Sequence, residues 1–317
     1  MSRRRTPLWI KLITLIEVLF LSCIVSVTFY LSSIIQTPKT LHLQEGSFES
    51  IITQLHKKGF EITPIERKIF HYIGRPKAGW IALGKSQMSR LDFLYALSSG
   101  KWHIHKITLI PGETLQLFTQ QLSKQLSLDA QKLQDIYHQL SPYPEGGIYA
   151  DTYHVPEGIA EKHLMAFLVR SSEGRFKAIA KKNHLSYNPK MWLPILTKAS
   201  IVQKEAASIK EMPLVASVIE NRLEKKMRLQ MDGTLNYGAF SHIKVTPKRI
   251  REDNSTFNTY KHKGLPNSPI CAVNHYAIEA VLHPAKTPYL YFMKNRQGVH
   301  DFSKTFQKHR KFIRALE

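Results

Sequence analysis

From Leu12 to Ile35 the only charged residue is Glu17, inside an apolar run that begins at Leu8. Roughly 24 residues at 1.5 Å each span the hydrocarbon core of a bilayer as a helix, a form that satisfies its own backbone hydrogen bonds there. The run is longer than a signal-peptide core, and no small-x-small cleavage site precedes Gln36-Thr37-Pro38, so the pattern predicts an uncleaved transmembrane helix over 8–35. Arg3, Arg4, Arg5 and Lys11 crowd its N-terminal side, and the next positive residue is Lys39. The positive-inside rule then makes residues 1–7 a cytoplasmic tail of a single-pass protein of the cytoplasmic (inner) membrane, with the bulk of the chain outside the cytoplasm, in the periplasm. Glu17 lies within about two turns of Lys11 near the inner interface, where local pairing or snorkelling accounts for it.

The chain has 317 residues, 43% of them hydrophobic, enough for a sizeable core and about two domains. Its formal charge is +21, and the first 38 residues hold four Arg/Lys against one Glu, so about +18 remains beyond them. Such a charge suits nucleic acid, anionic lipid or an anionic polymer. An extracytoplasmic position excludes nucleic acid and leaves the membrane and cell-wall polymer as partners. Cys23 lies in the span and Cys271 near the other end, so an intrachain disulfide is not expected, and Cys271 reads as a small buried hydrophobe. There is no Gly-rich phosphate loop, CxxC or HExxH, and the 15 histidines are scattered, so neither a metal nor a cofactor is expected.

Asn188-Pro189 opens a helical run, asparagine as cap and proline at the first helical position. Trp192, Ile195, Leu196, Ala199, Val202 and Ala206 recur at three- and four-residue steps and form one apolar stripe. Pro194 is expected to kink the first turns or delay the start. Glu205 falls beside the stripe, with Ile201 and Ile209 one turn either side, and an apolar boundary raises a carboxyl pKa toward what a general acid near neutral pH needs. The competing reading is a solvated glutamate paired with a nearby lysine. Gln203, about 160° round the wheel, cannot supply a proton.

After a second helix, with Pro213 in its first turn and Val215, Val218, Ile219 and Arg222 on one side, come three aperiodic segments rich in amides, hydroxyls and tyrosines: Met227 to Gly238, Phe257 to Tyr260 and Gly264 to Ile270. They read as site-forming loops. Ser141 to Gly158 is turn-rich and carries Glu145, Asp151 and Tyr153, which either face a cleft or cap helices and hold the turn.

Upstream, over 39–106, Leu41–Leu43 and Trp80–Leu83 read as strands, Phe48–Leu55 as a helix, and Leu91–Ser98 as a helix capped by Ser89 and stopped by Gly100. Trp80 and Trp102 either fill the core or stack on sugar rings. Strand Ile107 to Ile110 leads through Gly112 into a helix from Thr114 to Leu122. Tyr289–Met293 and Val299–Phe302 read as a hairpin before a basic closing helix from Ser303, and His300 on that hairpin reads as structural.

Six ordered segments resemble the YceG-like endolytic murein transglycosylase (MltG) family. They are Ala199 to Glu205, Val215 to Leu223, Met227 to Gly238, Phe257 to Tyr260, Gly264 to Ile270 and Pro284 to Phe292. Glu145 to Tyr153 is similar to the family's E-G-x-L-F-P-D-T-Y, with Ala150 in place of proline. Three further departures stand out: Gln203 replaces the first glutamate of E-K-E, Gly233 the proline of D-P-T, and Asn267 the second proline of the G-L-P-P loop.

The resemblance implies an α+β protein with a single N-terminal transmembrane helix, a small LysM-like βααβ module over 39–106 and a mixed α/β catalytic domain over 107–317. It implies an endolytic lytic transglycosylase that cleaves the MurNAc–GlcNAc bond of nascent peptidoglycan glycan strands, leaves 1,6-anhydro-MurNAc ends, terminates strand elongation, and works beside peptidoglycan synthases (penicillin-binding proteins). Glu205 would be the catalytic acid and then base. Gln230, Asp232, Asn258, Thr259 and Tyr260 would line the substrate cleft, supported by Asn221 and Tyr237, with Glu145, Asp151 and Tyr153 as further cleft candidates. The rival is a catalytically inactive, membrane-anchored peptidoglycan-binding scaffold in which Gln203 is the first sign of decay.

Overall fold

The computed structural model describes residues 8–100 and 104–315, so Arg3 to Arg5 and Trp102 lie outside the described residues. The order is α1 (Leu8–Ser32), β1 (Ile34–Gln36), β2 (Thr40–Leu43), α2 (Phe48–Lys57), α3 (Pro64–Ile73), β3 (Gly79–Ala82), β4 (Gln87–Ser89) and α4 (Arg90–Ser99). There follow β5 (Ile104–Thr108), α5 (Leu115–Leu126), α6 (Ala130–Leu140), β6 (Thr152–Pro156), α7 (Glu161–Lys182), α8 (Pro189–Glu205) and α9 (Met212–Glu224). The last are α10 (Pro247–Glu252), α11 (His275–Leu282), β7 (Tyr291–Lys294), β8 (His300–Ser303) and α12 (Phe306–Arg314). This is a mixed helix and strand protein whose described strands pair only two by two.

The described residues divide into two compact units, one running to His105 and taking in Val155–Ile159, the other made of Lys106–His154 and the chain from Ala160 on. In the first, α1 is a 25-residue helix with no buried residue, long and apolar enough to cross a membrane. It ends at Ser32, short of the end of the apolar run, because Ile34–Gln36 pair as β1 with β4. β2 and β3 are antiparallel, Leu41 opposite Ile81, and enclose α2 and α3 in sequence. Leu43, Ile52, Leu55, Leu94 and Leu97 are fully buried among them. Helix α3 has no counterpart in the sequence reading, although Thr63 and Glu66 form a reciprocal capping box and Pro64 occupies the first turn.

In the second unit α8 is the central helix, packed on α9 and α11. Asn188 caps it by accepting from the Lys190 amide, 2.9 Å. Pro194 neither ends the helix nor delays its start. It forfeits only the one bond its missing N–H would have made to the previous turn. Trp192, Leu196, Ala199 and Val202 are buried as a stripe, but Thr197, Ser200 and Ile201 are buried too, so α8 is enclosed on more than one side. The Ser200 hydroxyl accepts from the Ile270 amide, 3.0 Å, and the Ser200 carbonyl receives the Cys271 thiol, 3.5 Å, which ties the segment before α11 to the helix. The helix stops at Glu205, and Ala206 is extended. Ile209 therefore sits in a 3₁₀ turn, half exposed, and is not the apolar neighbour of Glu205 that helical periodicity predicts.

Candidate active site

The last turn of α8 carries Gln203, Lys204 and Glu205 into a ring of loops. The turn at 110–113 is joined to the strand-like 271–273 segment by Gly112 N–H to Ala272 O and Ala272 N–H to Glu113 O, both 2.8 Å. Ala150 N–H reaches Val273 O at 3.0 Å, which brings in the Glu145–Tyr153 loop. Gly146 adopts φ +71, and a Cβ there would lie 2.8 Å from the Pro269 side chain, so both conformation and space require glycine.

Glu205 is partly open to solvent at the helix end, with its carboxyl closely surrounded by protein. Its Oε1 accepts a 2.7 Å hydrogen bond from the Gly233 amide. Burial, the largest effect, pushes its pKa from 4.5 up to about 7; the Gly233 bond and Arg222 oppose this, and the Asp232 charge adds to it. The C-terminal end of the α8 dipole also disfavours a negative charge here. A carboxyl poised near neutrality can both give and take a proton.

Around it, Tyr260 Oη donates to Asp232 Oδ1 at 2.7 Å. Burial, then the Asp232 carboxylate, drives the Tyr260 phenol well above its ordinary value, so it is a neutral donor. Arg222, in α9, donates to the Leu229 and Leu290 carbonyls and lies over the Tyr291 ring at 5.4 Å. Arg222 was visible in the sequence only as one side of a helix; its place in the charge field of Glu205 comes from the fold.

A second polar group lies beside Lys204. Its Nζ donates to Ser241 Oγ at 2.7 Å, and His242 Nε2 lies 2.8 Å from Glu113 Oε2. Glu145 belongs here: its carboxylate accepts from Leu115 N–H at 3.0 Å and Gly146 N–H at 2.8 Å, holding the first turn of α5. Burial and then Glu113 push Glu145 up to about 7, against its amide donors and Lys204.

The other sequence candidates separate by what their side chains touch. Gln230 is exposed, at φ 49, next to the loop, and its amide donates to Thr259 O. Asn258 and Thr259 are buried and do not line a surface. Asn258 Nδ2 donates to the Ile250 and Asp253 carbonyls at 2.9 and 2.7 Å, and Thr259 Oγ1 accepts from Met231 N–H and bonds Thr234 Oγ1, so both build the wall from behind. Tyr237 stacks on Phe257 and donates to Asp253, again a supporting role. Asn221 Nδ2 donates to the Thr287 and Tyr289 carbonyls and lines a separate groove of about 650 Å³ with Ser217 and Glu220. Asp151 pairs with Arg175 at 2.8 Å, and Tyr153 is buried with its hydroxyl on Tyr149 O, so these two hold the turn. Gln203 Oε1 faces the Asn274 amide, 3.5 Å, toward the start of α11. His300 is engaged twice by Glu211, through its amide at 2.9 Å and Nδ1 at 2.7 Å. Among the described residues no cluster of His, Cys, Asp and Glu could hold a metal.

The chain is 35% identical over 182 residues to the endolytic murein transglycosylase of Bacillus subtilis, covering 56% of this chain and 49% of that protein. It is 28% identical over 303 residues to the endolytic murein transglycosylase of Streptococcus pneumoniae serotype 2, covering 80% of this chain and 54% of that one. The chain thus spans about half the length of these relatives. A crystal structure of a YceG-like protein from Listeria monocytogenes superposes with a TM-score of 0.57 at 26% identity, covering 88% of this chain and 99% of that one. The YceG-like family model matches residues 41–315, which takes in every loop around Glu205, and the chain belongs to that family.

Proposed function

We propose that this chain is a membrane-anchored endolytic lytic transglycosylase that cuts the MurNAc–GlcNAc bond of nascent peptidoglycan and ends strand elongation. The observation that carries the reading is Glu205: a half-buried residue at the end of α8 whose carboxyl is raised to about 7 and has one oxygen held by a backbone amide. Glu205 protonates the glycosidic oxygen as the C1–O bond breaks. As carboxylate it then takes the proton of the muramic acid 6-hydroxyl, whose oxygen closes on the same C1. One proton leaves and one returns, no water is consumed, and the intramolecular attack needs no second carboxylate. Exposed Asp232 and half-buried Tyr260 form the rim that meets the sugar.

Helix α1 is the anchor, with residues 1–7 cytoplasmic and 39–317 periplasmic. The β2-α2-α3-β3 order supports a LysM-like module over 39–106, ahead of a catalytic domain over 107–317. Penicillin-binding synthases are the partners this reading implies. The inactive-scaffold alternative loses its motive from Gln203, which faces Asn274 and so takes no proton donor away from Glu205.

Mass spectrometry of sacculi digested with the full-length protein tests the chemistry. Fragments are expected to end in 1,6-anhydro-MurNAc, lighter by one water than hydrolytic ends. Mainly reducing muramic ends would make it a two-carboxylate hydrolase, with Asp232 the first second acid to examine; no released fragments would make it a scaffold.

A further inference from the structure

The Gly233 amide touches the carboxyl on which the proposed reaction turns. Its N–H lies 2.7 Å from Glu205 Oε1, and among the described residues no hydrogen bond engages Oε2. The glycine is required by closeness, not by backbone conformation: an added Cβ would lie 2.8 Å from Glu205 Oε1 and 2.8 Å from Lys204 Cβ, while its φ lies outside the left-handed range. The turn that presents this amide is fixed from within. Thr234 Oγ1 donates to Met231 O at 2.7 Å and bonds Thr259 Oγ1 at 3.0 Å, and Met231 N–H donates to Thr259 Oγ1 at 3.1 Å, all buried. Through these bonds the buried threonines hold one N–H against one carboxylate oxygen.

We propose that Gly233 N–H is a positioning group that reserves Oε1 as an acceptor and leaves Oε2 to carry, donate and recover the proton. This rests on Glu205 being the acid. In the neutral acid Oε1 is the carbonyl oxygen, the natural acceptor, and Oε2 bears the hydrogen. As Oε2–H passes its proton to the glycosidic oxygen, negative charge spreads onto Oε1 and the N–H···O bond strengthens. When the 6-hydroxyl proton arrives at Oε2, the starting arrangement returns. A hydrogen bond to the charged form also counters the burial that raises this group, so the amide keeps the acid from becoming too weak to donate. Proline at this position, as in the D-P-T pattern, has no N–H, so this chain holds its acid by a bond that pattern cannot make.

Three variants of the full-length protein in detergent separate the bond from the space. Gly233→Ala adds a Cβ and keeps the N–H; Gly233→Pro adds carbon and removes it. Glycolic acid placed at 233 by nonsense suppression swaps the N–H for an ester oxygen and adds nothing. A general acid loses activity as pH rises through its pKa, so removing the amide should move that falling limb upward. Glycolate is expected to shift it by about one pH unit relative to wild type, and proline by a similar amount relative to alanine. At the wild-type optimum, glycolate should lower kcat about tenfold with KM within about twofold, since positioning acts on the chemical step. Infrared titration of the carboxyl band that disappears in Glu205→Gln gives the same pKa without turnover, so a variant that folds but does not turn over still reports. A glycolate protein with an unshifted limb and an unshifted carboxyl band overturns the proposal while leaving Glu205 as the acid. Full activity in Glu205→Gln would instead remove the assignment beneath it.

Discussion

Replacing Glu205 by Gln should cost activity and increase stability, and the second effect can be sized from the structure. The carboxyl titrates at about 7 in the fold against an ordinary 4.5, a difference of roughly 2.5 units. At about 1.36 kcal/mol per unit this is about 3 kcal/mol. The sign follows from proton counting: between pH 4.5 and 7 the folded state holds more protons than the unfolded chain, so stability falls as pH rises through that window. Gln keeps the shape and the oxygen that accepts from Gly233 but has no charge to bury. Near pH 4 the variant and wild type should be nearly equal in stability. At pH 8 the variant should be more stable by up to about 3 kcal/mol, roughly 6–12 °C in the melting temperature of a unit of this size. The assay is thermal unfolding of both full-length proteins from pH 4 to 8, with glycan release measured in parallel and expected to fall at least about a hundredfold. Parallel stability curves across the whole range would mean that Glu205 titrates like a solvated glutamate and that burial does not set its acid strength.

Asp232→Asn removes a charge that raises Glu205 but keeps an oxygen for the Tyr260 hydroxyl, so the falling limb of the pH–rate profile should move down by about half a unit to one unit. An unmoved limb would leave Asp232 with a structural role alone. At pH 5, where Glu145 is the neutral acid, Glu145→Gln sets an NH₂ group where a carboxyl oxygen accepts an amide, so the protein should lose about 1–2 kcal/mol, seen by thermal unfolding, with the activity limb unchanged. Loss of turnover with no loss of stability would exchange the roles of Glu145 and Glu205.

Much of the helix around the site was legible in the residues. Asn188 and Pro189 mark its start because a cap and a ring-locked φ are local signals, and the Trp192–Val202 stripe marks its buried side because periodicity reports burial directly. Ser89 and Gly100 likewise bracket α4. Helix α3 was readable from Thr63-Pro64-x-Glu66 but fell between stronger signals. The helix end after Glu205 was not legible, because Ala206-Ala207 carries no breaker; past the end the Ala207 amide donates to the Glu211 carboxylate four residues on, a bond that the residue types alone do not announce. Asn258 and Thr259 were readable as site-forming but not as facing inward, since an amide or hydroxyl satisfies a loop backbone as readily as a ligand. The Gly233 donor showed in residue type only as the replacement of the pattern's proline, because every non-proline residue carries the same N–H.

Acid strength alone does not choose the acid in this site, because Glu145 and Glu205 are both raised to about 7 by the same dominant cause, burial. Their hydrogen bonds separate them. Glu145 meets amide donors on both oxygens, and those amides belong to the first turn of α5 and the Gly146 bend, so moving its proton would disturb the capped turn. Glu205 meets one amide on one oxygen, at the end of a helix that is largely buried from Leu196 to Val202. A group that must change protonation twice per turnover needs an oxygen without other duties and a frame that does not move when its charge changes. Glu205 has both. In the proposed reaction the enclosed packing of α8 then serves function as well as structure: Ser200, Thr197 and Ile201, buried on the faces away from the main stripe, hold the last turn that carries the proposed acid and base.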